Sequence, residues 1–394
     1  MLKRTLILLL VAASFSCGSD ENNEYVPVTM YPAVEAAFGS NIDLANLSNY
    51  ANQSVPFYIT KSNVGTNTIT DKGATLGRVL FYDKKLSSNN TISCSSCHQQ
   101  ANAFSDVAVS SSGVNGTTGR HSMRLVNNRF ANETKFFWNE RAFNLETQTT
   151  MPIKDHGEMG YSGADGDEPF SGLIAKLSNI SYYKELFKFV YGSEEITENK
   201  IQLALAQFIK SIQSFDSKYD AGRALAANDG QPFTNFTPQE NQGKNLFLAP
   251  PVFDATGNRT AGGLGCAGCH AAPEFDIDPN SRNNGIIGNI NGTGIDLTNT
   301  RAPSLRDLVK VNGNLNGPMM HTGVITTLQA AIGHYGTINI APGNTNLDPR
   351  LRPNGFGQQL HLTAPEVDAV IAFLKTLAGT NVYVDRKWSD PFLD

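Results

Sequence analysis

The sequence has no excess of positive charge and no hydrophobic run long enough to cross a bilayer. Its 31 Lys and Arg residues are outnumbered by 36 Asp and Glu residues, which gives a formal net charge of -5. A protein that wraps nucleic acid needs a basic footprint to neutralise phosphates, so this class is excluded. Strand-like alternation is also scarce. Because such alternation is scarce, we expect a mainly α protein. The length of 394 residues is enough for two or three domains.

Cysteine is rare as well, and four of the five cysteines occur in two copies of a Cys-x-x-Cys-His motif. The two copies are Cys94, Cys97 and His98, and Cys266, Cys269 and His270. The motif is typical of c-type haem attachment, because two thiols on one helical turn reach both vinyl groups of a haem. The adjacent histidine then ligates the iron. A zinc site or a redox dithiol is the alternative, which the repetition of the whole motif disfavours.

The fifth cysteine lies in an N-terminal export signal. Lys3 and Arg4 precede an apolar stretch at residues 6–13, which is too short for a membrane-spanning helix. Residues 1–16 are therefore predicted to be a signal peptide. The segment that ends at Cys17 resembles a bacterial lipoprotein signal, so we expect lipidation there, attachment to a membrane, and a periplasmic or outer-envelope location. Ordinary secretion, with Cys17 as a free thiol, is the alternative.

Helix signals are clear after a tether at residues 17–55 that leads into the fold. Residues 237–240 and 363–366 are capping boxes with proline near the first helical position. Residues 278–300 are rich in Gly and Asn and predict a long surface loop. One apolar stripe of a third helix comprises Ile201, Leu205, Phe208, Ile209 and Ile212.

A short pattern precedes each haem motif in the same order. Residues 77–81 read Gly-Arg-Val-Leu-Phe, and residues 243–247 read Gly-Lys-Asn-Leu-Phe. This echo favours two similar haem domains, which we expect at residues 56–230 and 231–394. Chance similarity of two short helices is the alternative.

Several longer segments resemble bacterial di-haem cytochrome c peroxidases. Residues 80–94 are similar to the family's lead-in to the first haem. Residues 137–142 read Phe-Trp-Asn-Glu-Arg-Ala, where the family has Phe-Trp-Asp-Gly-Arg-Ala. Residues 301–306 and 318–323 resemble motifs of the second domain. The resemblance spans roughly residues 60–380 and includes MauG, the di-haem enzyme of methylamine utilisation; it implies two cytochrome c-like haem domains.

The resemblance implies catalytic roles for three residues. Trp138 takes the place of a tryptophan between the two haems, and Gln148 and Glu158 take the places of a distal pair beside the first haem. These residue types suit peroxide cleavage, since a carboxylate can move a proton between the two oxygens while an amide orients the molecule. His156 is a weaker rival to Glu158 for the proton transfer.

The first departure from the peroxidase pattern concerns a histidine that blocks the first haem in many family members. No histidine occurs between His98 and His121, and the blocking position falls near Val114 or Asn115. We therefore expect the first haem to be open when fully oxidised.

His121 also aligns with an asparagine that the family uses at a calcium site between the haems. Calcium in this family is held mostly by main-chain carbonyls and water. The resemblance leaves Asn316 and Pro318 as candidate carbonyl ligands, with the side-chain ligand undefined.

The second departure concerns the distal ligand of the second haem. Peroxidases have a methionine fourteen residues after the histidine that corresponds to His321, and this chain has Tyr335, as MauG does. A phenolate ligand stabilises ferric iron and lowers the reduction potential relative to a thioether. Met319, Met320 and His334 are the rivals for this position.

The resemblance implies a peroxidase that reduces hydrogen peroxide at the first haem. Electrons then arrive from a small c-type cytochrome through the second haem. One alternative is a MauG-like enzyme that uses peroxide to oxidise a partner protein. A different class is a di-haem electron carrier without catalysis, which requires both irons to be six-coordinate.

Overall fold

The computed structural model describes residues 30–277 and 279–392. The predicted signal peptide and Cys17 lie outside these residues. The α-helices are α1 Pro32–Phe38, α2 Asp71–Tyr82, α3 Cys94–Cys97, α4 Leu145–Thr150, α5 Phe170–Ser178, α6 Ser181–Tyr191, α7 Glu198–Ser211, α8 Lys218–Arg223, α9 Pro238–Leu248, α10 Leu328–Gly336 and α11 Ala364–Lys375. The strands are β1 Pro251–Phe253, β2 Arg259–Gly262, β3 His270–Ala271 and β4 Asp276–Ile277. Short 3-10 turns fill several of the connections.

The described residues are rich in helix, with only two small antiparallel sheets, β1–β2 and β3–β4. In the second sheet, His270 pairs with Ile277, which anchors the second haem motif to a short hairpin. Within residues 30–277 and 279–392 no helix combines the length and apolarity that crossing a membrane requires.

The predicted helix starts are confirmed. In α9 the Thr237 hydroxyl accepts from the Glu240 N–H (3.2 Å), and the Glu240 carboxylate accepts from the Thr237 N–H (2.7 Å). Thr363 and Glu366 cap α11 in the same way. The predicted apolar stripe forms the buried face of α7, with Ile212 as the C-cap residue.

The repeated pattern at residues 77–81 and 243–247 corresponds to two helix pairs that pack alike. Gly77 of α2 lies against the Ala204 carbonyl and Phe208 of α7, so closely that a Cβ at Gly77 would collide with both. Gly243 of α9 lies in the same way against the Ala369 carbonyl and Phe373 of α11. Glycine is needed at both positions because the two backbones approach each other there.

Two hydrophobic cores surround these helix pairs. The first includes Leu80, Phe81, Phe104, Leu205 and Phe208, and the second includes Phe247, Phe275, Leu328, Phe373 and Leu374.

The chain passes between the two cores more than once. Tyr219 of α8 packs in the second core, with its ring centroid 4.9 Å from that of Phe275. Trp388, near the C-terminus, packs in the first core and donates through Nε1 to Ser211 Oγ (3.2 Å). Each core therefore takes residues from the other side of the predicted boundary at residue 230.

The prediction of a surface loop at 278–300 is only partly correct. Its described residues form no helix or strand, but Asn283 is fully buried. The Asn283 amide donates to the carbonyl of Thr298 (3.1 Å) and accepts from Asn344 Nδ2 (3.0 Å). These internal hydrogen bonds allow a polar loop residue to be buried.

Candidate active site

The first haem motif lies on a single helical turn, α3. Ser96 Oγ accepts from the Ser93 N–H (3.0 Å), and the His98 N–H donates to the Cys94 carbonyl (2.9 Å). Burial raises the pKa of Cys94 to about 12 and that of Cys97 to about 11. Neither cysteine forms a disulfide, and the same holds for Cys266 and Cys269 of the second motif.

The His98 ring is oriented for a metal bond through one nitrogen. Nδ1 lies 3.1 Å from the Phe104 carbonyl oxygen, which can only accept, so Nδ1 carries the proton. The lone pair of Nε2 is then free to ligate. Burial also lowers the pKa of His98, which favours the neutral imidazole that ligation requires.

Glu158 lies close enough to the first motif to act electrostatically on Cys94 and Cys97, raising the pKa of each. The pKa of Glu158 itself is raised to about 7, chiefly by burial and secondly by the negative charge of Asp155. The positive charge of Arg141 opposes this rise. The Glu158 carboxyl therefore exchanges a proton near neutral pH.

A short turn fixes the backbone of Glu158. Asp155 Oδ1 accepts from the N–H groups of Gly157 (2.9 Å) and Glu158 (3.0 Å). On the other side, the Val114 N–H donates to the Glu158 carbonyl (3.0 Å), and the Asn115 N–H donates to the Gly157 carbonyl (3.2 Å). The segment where the family places its blocking histidine is thus bound directly to the Glu158 turn.

Gln148 and His156 precede Glu158 on the same stretch of chain. Gln148 lies on α4, whose N-cap Asn144 accepts from the Thr147 N–H (2.8 Å). Its half-buried amide makes no side-chain hydrogen bond to any residue of the described ranges. The ring of His156 is engaged elsewhere, since its Nδ1 lies 3.0 Å from Asp167 Oδ2. Gln148 is thus free to orient a bound molecule.

Trp138 is buried where the two halves of the chain meet. Its indole Nε1 donates to the His121 carbonyl (2.7 Å), and its own carbonyl accepts from the Arg301 N–H (2.6 Å). The ring of His321 lies edge-on to it, with the centroids 6.3 Å apart. Trp138 also forms part of the wall of the cavity beside the second haem motif.

That cavity has a volume of about 420 Å³ and a mainly apolar wall, which includes Cys266, Cys269 and His270. Burial and the nearby positive charges of Arg124 and Arg350 lower the pKa of His270 to about 4, so its imidazole is neutral. Two cysteines outside any disulfide, a neutral imidazole and an apolar cavity are the donor set and the surroundings that a c-type haem needs. The residues present fit this cofactor.

Tyr335 lies in the wall of this cavity. Its hydroxyl accepts from Asn284 Nδ2 (3.3 Å) and lies 4.0 Å from Met320 Sδ. Burial raises the pKa of the Tyr335 phenol above its ordinary value, while the Asn284 hydrogen bond opposes the rise. Met319 and Met320 also line the cavity, whereas His334 Nε2 instead contacts the Asn284 carbonyl (2.9 Å). Tyr335 as the iron ligand stays a prediction.

The predicted calcium site lies in a buried part of the same region. Asn316 Nδ2 donates to the Asp307 carbonyl (2.7 Å) and to the Tyr383 hydroxyl (2.7 Å). His121 is also buried, and its Nδ1 lies 3.0 Å from the Ala108 carbonyl. Within the described ranges no group of three or more His, Cys, Asp or Glu side chains is arranged to hold a metal ion. Calcium at the carbonyls of Asn316 and Pro318 stays a prediction.

Sequence reasoning missed several polar residues in the wall of the cavity, among them Arg124 and Asn284. Neither belongs to a motif, and arginine and asparagine are ordinarily surface residues. Arg301 was recognised only as the start of a motif and received no role. Only the contacts between distant segments identify these residues.

Comparisons with known proteins agree with this geometry. Residues 71–228 match the family model described as di-haem cytochrome c peroxidase. The cytochrome c551 peroxidase of Nitrosomonas europaea is 29% identical over 320 residues, which cover 78% of this chain and 80% of that protein. The methylamine utilisation protein MauG of Methylophilus methylotrophus is 26% identical over 325 residues, which cover 80% of this chain and 84% of that protein.

Among solved structures, a MauG-like protein associated with microbial copper homeostasis matches with a TM-score of 0.65 and 28% identity. The match covers 86% of this chain and 99% of that one. Two haem motifs, the shared fold and these relatives lead to one conclusion. Residues 71–228 match the di-haem cytochrome c peroxidase family, the chain is similar to cytochrome c peroxidases and MauG proteins, and it is an oxidoreductase of the cytochrome c peroxidase type.

Proposed function

We propose that this protein is an exported di-haem peroxidase that reduces hydrogen peroxide to two molecules of water, consuming two electrons and two protons. One haem is held covalently by Cys94 and Cys97, and the other by Cys266 and Cys269, in two cytochrome c-like domains. A small c-type cytochrome supplies the electrons to the second haem. When bound, each haem supplies an iron that exchanges single electrons, and an open coordination position at the first allows peroxide to bind.

The observation that carries the proposal is the position and proton affinity of Glu158. Its carboxyl lies beside the first pair of cysteines, and its pKa of about 7 lets it both take and return a proton at neutral pH. In its ionised form Glu158 accepts a proton from one oxygen of peroxide and delivers it to the other, which leaves as water. The hydrogen bonds that the Asp155 carboxylate accepts from the Gly157 and Glu158 N–H groups, and the one that Val114 donates to the Glu158 carbonyl, hold this turn in place.

Two other side chains support the same step. Gln148 has an amide that no described residue engages, so it is free to donate a hydrogen bond to peroxide and orient it. Trp138 contacts both halves of the chain through His121 and Arg301, which provides an aromatic path for electrons between the haems. The absence of a histidine near Val114 supports a first haem that is open without prior reduction.

Steady-state turnover tests the proposal. Holoenzyme is given hydrogen peroxide and either a reduced small c-type cytochrome or a candidate protein substrate. Rapid oxidation of the cytochrome supports peroxidase activity. If the protein substrate is modified while the cytochrome is oxidised slowly, the MauG-like function is supported instead.

The MauG-like function has one specific observation in its favour. Tyr335 reaches the second cavity with its hydroxyl, and a phenolate ligand favours the oxidised states of iron. An electron carrier without catalysis would need both irons to be six-coordinate, so a high-spin ferric absorption signal in the oxidised protein would exclude that function.

A further inference from the structure

Two arginines in the wall of the second cavity are buried without a partner for their charge. Arg124 is 8% exposed and Arg301 is 6% exposed. Nε of each is buried and makes no hydrogen bond in the described part of the chain. Among the described residues neither guanidinium forms an ion pair within 4 Å, and the negative charges that act on them, Asp307 on Arg124 and Glu133, Glu140 and Asp276 on Arg301, do so from farther away. Arg350 of the same wall differs, because Asp348 pairs with it at 2.6 Å.

Both guanidinium groups stay charged at neutral pH. Burial lowers the pKa of Arg124 and of Arg301 to about 10, which is still well above 7. A buried charge without a counter-ion is strongly destabilising. The contacts present do not neutralise it: Arg124 Nη2 donates to the Ser304 carbonyl (2.9 Å), and Arg301 lies over the ring of Phe136 at 4.6 Å. These two buried positive charges therefore favour an anionic ligand in the cavity.

We propose that Arg124 and Arg301 bind the two propionate groups of the second haem. A haem brings two carboxylates into this cavity, and a guanidinium is the side chain best suited to pair with a carboxylate in a buried site. The inference rests on the proposed haem at Cys266 and Cys269. Arg124 and Arg301 are positioning residues in this scheme, because they hold the porphyrin and its charge and do not touch the reacting peroxide.

The two arginines also join the halves of the protein around the haem. Arg124 reaches from the first half to the Ser304 carbonyl, while the Arg301 N–H reaches back to the carbonyl of Trp138 (2.6 Å). Propionates held by both guanidinium groups would fix the haem edge next to Trp138. This arrangement gives the second haem a defined position relative to the path of the electrons.

The test is a potentiometric titration of the holoenzyme with both haems attached. Removing a cation beside a haem favours the ferric state, so Arg124→Leu and Arg301→Leu should each make the potential of the second haem more negative. The first haem should keep its potential in both variants. The matched control is Arg129→Leu. Arg129 is also buried, donates to Gln213, lies over the ring of Phe130 and is outside the cavity wall, so both potentials should stay as in the wild type.

Lysine variants separate propionate binding from a merely structural role. Arg124→Lys and Arg301→Lys keep the charge but lose the guanidinium fork. They should keep the second potential near that of the wild type while the propionate-bending bands in the resonance Raman spectrum shift. These variants decide the question if a leucine variant fails to fold.

Two results would overturn the inference. One is an unchanged second potential in both leucine variants together with unchanged Raman bands in both lysine variants. The other is a potential shift that appears at the first haem instead. Mass spectrometry of the same samples shows whether haem is attached at Cys266 and Cys269; its absence there would overturn the cofactor assignment along with the inference, whereas an attached haem with no response refutes the inference alone.

Discussion

Replacement of Glu158 by glutamine removes the proposed proton carrier while keeping the shape of the side chain. The Glu158 N–H donates to Asp155 and the Glu158 carbonyl accepts from Val114; neither hydrogen bond involves the carboxyl, so the turn should stay in place. Both haems should remain attached. A positioned acid–base group contributes about a hundred- to ten-thousand-fold to a rate, or about 2.7–5.4 kcal/mol of transition-state stabilisation. Peroxide turnover by Glu158→Gln should fall by a factor in that range.

The pH dependence of the wild type should follow the same group. The ionised carboxylate is the form that accepts a proton, so activity should rise with pH and level off above the pKa of Glu158, which is about 7. About one tenth of the molecules are in the active form at pH 6 and about nine tenths at pH 8. The Glu158→Gln variant should lose this dependence. Measurements of kcat/KM between pH 5 and pH 9 test both statements.

A neighbour of Glu158 offers an independent check. In Asp155→Asn the Oδ1 acceptor for the Gly157 and Glu158 N–H groups is kept, but the negative charge that raises the pKa of Glu158 is removed. The midpoint of the pH profile should therefore move to lower pH. His156→Gln is the matched control, since the ring of His156 faces Asp167, and its turnover should equal that of the wild type. Turnover by Glu158→Gln within about a factor of two of the wild type would refute the assigned role.

Three further changes have defined outcomes. Gln148→Leu should reduce peroxide turnover less than Glu158→Gln does, because an amide orients peroxide but transfers no proton; steady-state kinetics compares the two. Tyr335→Met should raise the potential of one haem and introduce a methionine–iron band, while peroxide binding at the other haem is kept; identical potentials and spectra would exclude Tyr335 as ligand. Burial raises the pKa of Glu140, so its ionisation destabilises the fold above its unfolded pKa. Glu140→Gln keeps an acceptor for Asn299, and it should raise the free energy of denaturant unfolding at pH 7 and leave it unchanged at pH 3.

Features that depend on residues close together in sequence could be predicted without a structure. The capping boxes at Thr237 and Thr363 connect residues three positions apart, and their hydrogen bonds form as expected. Each haem motif likewise lies within one turn of the chain. The repeated Gly-base-x-Leu-Phe pattern was visible in the sequence, but its reason became clear only when Gly77 and Gly243 were found against the backbones of α7 and α11.

Contacts between distant segments could not be predicted from local patterns. Residues 113–115 pair with the Glu158 turn, and no motif in either segment indicates this. Arg124 donates to a carbonyl 180 positions away in the sequence. Arg120 forms an ion pair with Asp296 (2.5 Å), which is 176 positions away. This ion pair ties residues 278–300 to the first half of the chain. The loop was predicted to lie on the surface because its composition is polar, whereas its buried Asn283 is satisfied by Thr298 within the loop and by Asn344, which is distant in sequence.

The central claim is that peroxide reacts at an open first haem with the help of Glu158. Stopped-flow mixing of the fully oxidised holoenzyme with one equivalent of hydrogen peroxide tests it most directly. We predict a rapid change in the absorption spectrum without any added reductant, and its loss in Glu158→Gln while Asp155→Asn retains it. A wild-type spectrum that stays unchanged until an electron is supplied would contradict the account.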